Sequence, residues 1–130
     1  MQSLIFFNPH ESIMDLNLAI AIHNEWKTFL LAAIINNEKL DATSIAKDNC
    51  CELGKWLYSD GKIQFEMLSG FAACVTKHAV FHAEAAKVAE RINTRHYQEA
   101  HAMLRAGTAY STASNKLQAS LLSLQLEAGL

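Results

Sequence analysis

Apolar residues recur along most of the chain with the three- and four-residue spacing of an α-helix. After Ser12-x-x-Asp15, which resembles a helix start signal, apolar positions continue over residues 16–34. They form two stripes, one of Leu16, Ile20, His23, Leu30 and Ile34 and the other of Leu18, Ile22, Trp26, Phe29 and Ala33. A helix with two apolar sides lies either in the middle of a bundle or at a dimer interface, and the pattern leaves both open.

This first long helix is predicted to end near Asn36 and Asn37, because asparagine favours helix ends and turns over helix interiors. A polar connection follows, in which residues 44–47 could form one helical turn. Residues 62–70 are ambiguous between a helix and a loop.

A second start signal, Asn49-x-x-Glu52, predicts a short helix that ends near residues 59–61. It places Cys51 in the first turn, at the positive end of the helix dipole. The dipole is expected to favour the thiolate before any metal binds.

Two further long helices are predicted, over residues 71–92 and 96–126. Asn93-Thr94 can end the first and cap the second, and Gly107 is expected to kink the second or admit another backbone. The second helix has leucines at core spacing, Leu117, Leu121 and Leu124. The fold class is therefore all-α: an antiparallel four-helix bundle, possibly dimeric, with an additional short helix that carries Cys51.

Composition supports one helical globular domain, since 51% of the 130 residues are hydrophobic and one is proline. Residues 1–14 are predicted to be an irregular segment and residues 15–130 the domain. The net charge is −2, with scattered lysines and arginines, so a nucleic-acid or anionic-membrane surface is not expected. The apolar run at residues 4–7 is too short for a signal peptide or a membrane span, which favours a cytoplasmic location.

Metal-binding chemistry is indicated by His78 and His82, which lie four residues apart and so share one helix face. Such a pair also occurs as solvated or hydrogen-bonded histidines. His23 and Cys51, on two other predicted helices, would complete a set of four ligands. Three imidazoles and one thiolate suit zinc better than magnesium or calcium.

The competing candidates have simpler interpretations. Cys74 lies one turn before His78, but three ligands spread over two turns of a straight helix cannot all reach one ion, which favours Cys74 as a core residue. Cys50 is expected to be a spectator, although its thiol could react with an oxidised Cys51. His10, His96 and His101 are expected to be surface residues. Trp26 and Trp56 are expected to shield the site from water, and Gly54 to let another helix pass closely.

Three segments together resemble the bacterial chemoreceptor zinc-binding (CZB) domain family: HNEWK from His23, CELGKWLY from Cys51 and HAVFH from His78. The family pattern is H-x-x-W-K, C-x-L-G-K-W-L and H-x-x-F-H, and the likeness covers about residues 15–126. The resemblance implies that His23, Cys51, His78 and His82 bind Zn²⁺. It also implies a cytoplasmic four-helix bundle that often dimerises and works as a sensory module, fused to chemoreceptors or diguanylate cyclases or standing alone.

The function predicted from this resemblance is a sensory domain that responds to zinc availability or to oxidation of its ligand cysteine. Because no methyl-accepting coiled coil and no GGEEF motif is present, either its output reaches a chemotaxis or cyclic-di-GMP partner in trans or the sequence is a piece of a longer protein. The alternative is a structural bundle in which zinc is a permanent staple of a scaffold or dimerisation module. An enzyme is not expected, because neither Glu25 nor Glu52 is identifiable as a general base beside an open metal position.

Overall fold

The computed structural model describes residues 14–130, of which 74% are helical and none forms a strand. The all-α prediction is confirmed for this part of the chain. Ser12 and the segment predicted to be irregular, apart from residue 14, lie outside the described residues. Eight helical segments follow one another: α1 (Leu16–Asn24), α2 (Trp26–Asn36), α3 (Ala42–Ile45), α4 (Glu52–Leu57), α5 (Asp60–Phe65), α6 (Phe71–Asn93), α7 (Tyr97–Met103) and α8 (Ala109–Ala128).

The first two segments form one nearly continuous rod, since Glu25 between them keeps helical backbone angles (φ −76°, ψ −13°). Asp15 is the N-cap, and its carboxylate accepts a hydrogen bond from the Leu18 N–H at 3.1 Å. Asn37 ends the rod in the left-handed conformation, with φ of 54°. The predicted end of this helix is therefore confirmed.

The connection to α6 is more helical than the sequence indicated. A single turn, α3, forms at Ala42–Ile45 behind an Asp41 cap, two residues earlier than predicted. The ambiguous stretch contains the end of α5. Gly61 in α5 packs on the Trp56 ring so closely that a Cβ there would come within 2.7 Å of it. The connection is therefore a packed layer of short helices.

Helix α6 lies at the centre and contacts α2, α3, α4, α7 and α8. Two long-range side-chain contacts fix its ends. Glu127 of α8 accepts hydrogen bonds from the Ser69 and Gly70 N–H groups at 3.1 and 2.9 Å, which satisfies donors at the start of α6. Asn93 at the other end exchanges two 2.7 Å hydrogen bonds with the backbone of Leu40.

The prediction of one helix over residues 96–126 is wrong. The chain breaks between α7 and α8, where Gly107 has a φ of 84° that L-residues rarely adopt. Thr108 then caps α8 by accepting a hydrogen bond from the Ser111 N–H at 3.2 Å. Asn93 and Thr94 do not cap α7, whose N-cap is His96. Leu117, Leu121 and Leu124 are buried as predicted.

The long rods contact one another, α1 with α8, α2 with α6 and α6 with α8. The antiparallel four-helix bundle remains a prediction beyond this all-helical packing. The two stripes of the first rod have different environments. Leu16 and Leu30 of one stripe are buried, whereas Leu18, Ile22 and Phe29 of the other are 56%, 45% and 46% exposed.

This rod, Leu16–Asn36, is also long and apolar enough to cross a membrane by length and composition, although only 22% of its most apolar window is buried. Because Leu30 and Ala33 are fully buried in the core, the rod is an integral part of the fold. Within residues 14–130, no other segment covers Leu18, Ile22 and Phe29, which form an exposed apolar surface on this rod.

Candidate metal centre

The structure brings the four predicted ligands together although they lie far apart in the chain. One potential ligand atom from each of His23, Cys51, His78 and His82 lies within 4.8 Å of the others. The first comes from α1, the second from the residue before α4, and the last two from adjacent turns of α6. Three distant segments therefore converge on one point.

The separations among Cys51, His78 and His82 are close to those around a tetrahedral zinc ion. Cys51 Sγ lies 3.2 Å from His78 Nε2 and 3.6 Å from His82 Nε2, and the two imidazole nitrogens are 3.1 Å apart. Zinc bonds of about 2.0–2.1 Å to nitrogen and 2.3 Å to sulfur, at tetrahedral angles, place ligand atoms roughly 3.3–3.6 Å apart. The donor set also has the softness that zinc prefers.

Cys51 is the N-cap of α4, one position before the first turn in which it was predicted to lie. Its Sγ accepts a hydrogen bond from the Gly54 N–H at 3.3 Å, the role that a serine or aspartate oxygen plays at most helix starts. Cys51 is half-buried, and this burial raises the pKa of its thiol above the ordinary value despite the backbone N–H groups that oppose the shift. The expectation of a thiolate before metal binding is therefore wrong: desolvation outweighs the helix dipole.

Another helix was predicted to pass close to Gly54, but the segment that does so is the loop directly before α4. A Cβ at this position would lie 1.8 Å from the Asp48 carbonyl oxygen and 3.1 Å from the Asn49 Cα. The loop that leads into Cys51 thus folds directly over the first turn of α4. Only glycine permits this approach, so Gly54 fixes where the thiol lies.

Two imidazoles are oriented by backbone carbonyls. The Nδ1 atoms of His23 and His82 lie 2.8 and 2.9 Å from the Ala19 and Ile45 carbonyl oxygens. A carbonyl can only accept, so both rings carry their proton on Nδ1 and present an unprotonated Nε2 to the cluster. His23 Nε2 is buried and has no hydrogen-bond partner among residues 14–130, as expected of a nitrogen that binds a cation.

His78 is held differently. Its Nδ1 is buried and no described residue forms a hydrogen bond with it, while its Nε2 faces Cys51 and His82. This ring is therefore positioned by packing on all sides, since the residue is fully buried.

Burial keeps all three histidines neutral. Desolvation, together with the nearby His82 and His23, lowers the pKa of His78 to about 3. Desolvation also lowers the pKa values of His23 and His82, against the opposing effect of their carbonyl hydrogen bonds. At neutral pH the cluster offers three imidazoles with free lone pairs.

Aromatic rings surround the imidazoles. The ring centre of Phe81 lies 5.5 Å from those of both His23 and His82, and that of Trp26 lies 5.8 Å from that of His82. These rings shield one side of the cluster from water. Trp56 instead packs against Phe65 at 5.9 Å, a position that supports α4 and α5.

The residues predicted to lie outside the site do so where the structure describes them. Cys74 is fully buried, its thiol donates to the Ser120 carbonyl at 3.1 Å, and burial raises its pKa to about 11. Cys50, His96 and His101 are exposed, and His10 lies outside the described residues. Sequence reasoning missed the Ala19 and Ile45 carbonyls and the role of the Gly54 N–H, because backbone groups leave no side-chain signal.

Comparison with known proteins agrees with this geometry. The family model of the chemoreceptor zinc-binding domain matches residues 23–89, which is just over half of the chain and includes all four clustered residues. No curated protein and no solved structure matches the chain. The chain belongs to the chemoreceptor zinc-binding domain family, whose members bind zinc, and His23, Cys51, His78 and His82 form its possible zinc site.

Proposed function

We propose that the protein is a zinc-binding sensory domain whose signal arises at a centre formed by His23, Cys51, His78 and His82. The observation that carries this proposal is the convergence of the four donor atoms, of which only the thiol belongs to a partly exposed residue. The three histidines are at most 5% exposed. A reagent from solvent therefore meets Cys51 first.

The chemistry of the proposed response is oxidation of the Cys51 sulfur. Bound zinc supplies the positive charge that keeps this sulfur a thiolate at neutral pH despite its raised pKa. The thiolate and hypochlorous acid give a sulfenic acid and chloride, a two-electron oxidation that needs no further reactant. The sulfenic acid is uncharged, so it is a poorer ligand than the thiolate. Falling zinc availability would empty the same centre.

Oxidation would also change the local fold, because the Cys51 sulfur caps α4 through the Gly54 N–H. The loss of that cap and of the metal bond releases the start of α4 together with the loop that lies over Gly54. Helix α4 contacts both α5 and α6. The proposed signal is therefore a loosening of these short helices against α6.

Cysteine variants of the zinc-loaded full chain test the response. One equivalent of hypochlorous acid is added, zinc release is followed with a chromogenic chelator, and mass spectrometry locates the added oxygen. Wild type and Cys74→Ala should release zinc, and so should Cys50→Ser, the matched control with an exposed neighbouring thiol removed. Cys51→Ser should bind zinc more weakly and lose most of the oxidant response. Unchanged zinc affinity and unchanged oxidant response in Cys51→Ser would refute the proposal.

The second candidate is a structural zinc staple, which the closed set of four protein ligands from three segments supports. The two functions differ in reversibility. Chelators buffered across the free-zinc range of a cell should exchange the metal from a folded sensor. A staple would lose zinc only as circular dichroism reports unfolding.

A homodimer through the α2 part of the exposed stripe, centred on Phe29, is part of the proposal. Phe29 is 46% exposed on a rod whose most apolar window is only 22% buried. The Trp26 ring lies against Phe29 at a centroid distance of 5.4 Å, so the stripe contains an aromatic pair suited to an interface core. A second copy of the chain offers an equally apolar surface.

Analytical ultracentrifugation tests the dimer. Phe29→Glu should shift the protein to a monomer, and Leu126→Glu, at an 83% exposed leucine of α8, is the matched control that should leave the dimer intact. A wild-type protein that stays monomeric at high micromolar concentration would refute this part of the proposal.

Residues 15–130 are proposed to be one cytoplasmic domain that signals in trans to a chemotaxis or cyclic-di-GMP partner. Family membership supports this context. Binding of such a partner should differ between the zinc-loaded and the oxidised protein, which co-purification of the two forms with a candidate receptor or cyclase would measure.

A further inference from the structure

An apolar cleft of about 180 Å³ opens beside the metal centre. Cys51 and His23 lie in its lining, so the reactive thiol is reached through it. An apolar cavity of about 150 Å³ is large enough to bind one benzene ring. Its apolar walls come from the residue before the α1 cap, from α1 and from α4: Met14, Leu18, Ala19, Ile22 and Leu53.

The charged groups that line this cleft are both acidic. Asp15 and Glu52 are exposed residues, and Glu52 forms a 3.4 Å ion pair with Lys55, an exposed pair that salt screens readily. Zinc with three neutral imidazoles and one thiolate would carry a net charge of +1, and the two carboxylates near the mouth oppose its attraction for an approaching anion. The apolar walls give the charge of an anion no compensating hydrogen bonds. The cleft therefore disfavours negatively charged molecules in two ways.

We infer that the cleft admits uncharged, apolar, thiol-reactive molecules of about one ring in size to Cys51 and excludes anions. This inference rests on the proposed function of Cys51 as the reactive ligand. A quinone represents the class. The Cys51 sulfur adds to a ring carbon, the C=C electron pair moves to one carbonyl oxygen, and that oxygen takes a proton from water, which leaves hydroxide. The hydrogen on the substituted ring carbon then moves to the second carbonyl oxygen, which gives a hydroquinone thioether and a sulfur without its charge.

The charge selectivity can be measured with two reagents of equal chemistry, the neutral methyl methanethiosulfonate and the anionic sulfonatoethyl methanethiosulfonate. Zinc-loaded Cys50→Ser is the starting protein, because its exposed competing thiol is removed. Intact mass spectrometry gives the rate at Cys51, a chelator dye gives zinc release, and N-acetylcysteine amide provides the ratio for a free thiol. The ratio of the neutral reagent's rate to the anionic reagent's rate should be roughly tenfold higher at Cys51 than at the free thiol.

Two sets of variants locate the cause. Asp15→Asn, which preserves the helix cap, and Glu52→Gln should each raise the anionic rate about twofold at low salt and leave the neutral rate unchanged. Leu18→Ala should lower the rate of benzoquinone addition roughly threefold through lost apolar contact. Leu126→Ala on α8 removes a leucine outside the cleft that is 83% exposed, against 56% for Leu18, and should change no rate.

The results separate this inference from the function on which it rests. If both reagents modify Cys51 and release zinc in the free-thiol ratio, and the variants change nothing, the cleft inference is overturned while the sensory centre stands. If neither reagent modifies Cys51, or if its modification leaves zinc bound, both are overturned.

Discussion

Replacement of Gly54 by alanine should displace the proposed sulfur ligand without removing any ligand. The new Cβ would lie 1.8 Å from the Asp48 carbonyl oxygen, and backbone atoms do not approach a Cβ within 3.0 Å, so the loop must retreat by more than 1 Å. Zinc ligands are positioned to within about 0.2 Å. A shift of this size should weaken zinc binding roughly 10- to 100-fold, as disruption of the groups that orient ligands does elsewhere.

The same substitution should destabilise the metal-free fold by about 1–3 kcal/mol through overpacking. Competition with a chromogenic chelator measures zinc affinity, and urea unfolding in excess chelator measures stability. Gly129→Ala is the matched control: φ is 74° and no atom lies within 4 Å, so backbone strain should cost about 1 kcal/mol and leave zinc affinity unchanged. A Gly54→Ala protein with the affinity and stability of wild type would refute the argument that this glycine positions Cys51.

Three further predictions follow from the buried groups. The metal-free protein should lose stability as pH falls below 6.5, because His78 takes up a proton in the unfolded state but not in the folded state, where its pKa is about 3. His78 alone should lower the free energy of unfolding by about 1.4 kcal/mol at pH 5.5. Equal urea midpoints at pH 7.5 and 5.5 would contradict this. Zinc binding at pH 7.5 should release about one proton, from the Cys51 thiol whose pKa is raised, and calorimetry in buffers of different ionisation enthalpy would contradict this if it counted none. Asn93→Ala should cost about 2 kcal/mol of unfolding free energy, since both Leu40 backbone groups lose their partner, whereas exposed Asn115→Ala should change it by less than about 0.5 kcal/mol.

Local signals predicted the helical class and two of the three long helices well. Helix α6 was predicted almost to its ends, because its apolar periodicity is long and unbroken. The complete break at Gly107 was not predicted, because a single glycine is compatible with both a continuous helix and a left-handed turn. The structure shows the left-handed turn, followed directly by the Thr108 cap of a new helix.

His78 and His82 were named from sequence because two histidines four residues apart share one helix face. His23 and Cys51 were named because they lie on other predicted helices, in segments that resemble the family pattern. The Ala19 and Ile45 carbonyls that orient two of these histidines were not predicted, because they belong to backbone whose position depends on the whole fold. The protonation state of Cys51 was predicted wrongly for a related reason. The helix dipole can be read from sequence, whereas the burial that outweighs it cannot.

The most direct test of the proposed centre is X-ray absorption spectroscopy of the zinc-loaded protein, which counts the atoms bound to the metal. One sulfur at about 2.3 Å and three imidazole nitrogens at about 2.0–2.1 Å are predicted. Replacement of Cys51 by serine should remove the sulfur contribution and leave the nitrogens in place. A wild-type spectrum with no sulfur, or with two, would contradict the assignment of His23, Cys51, His78 and His82 as the four ligands.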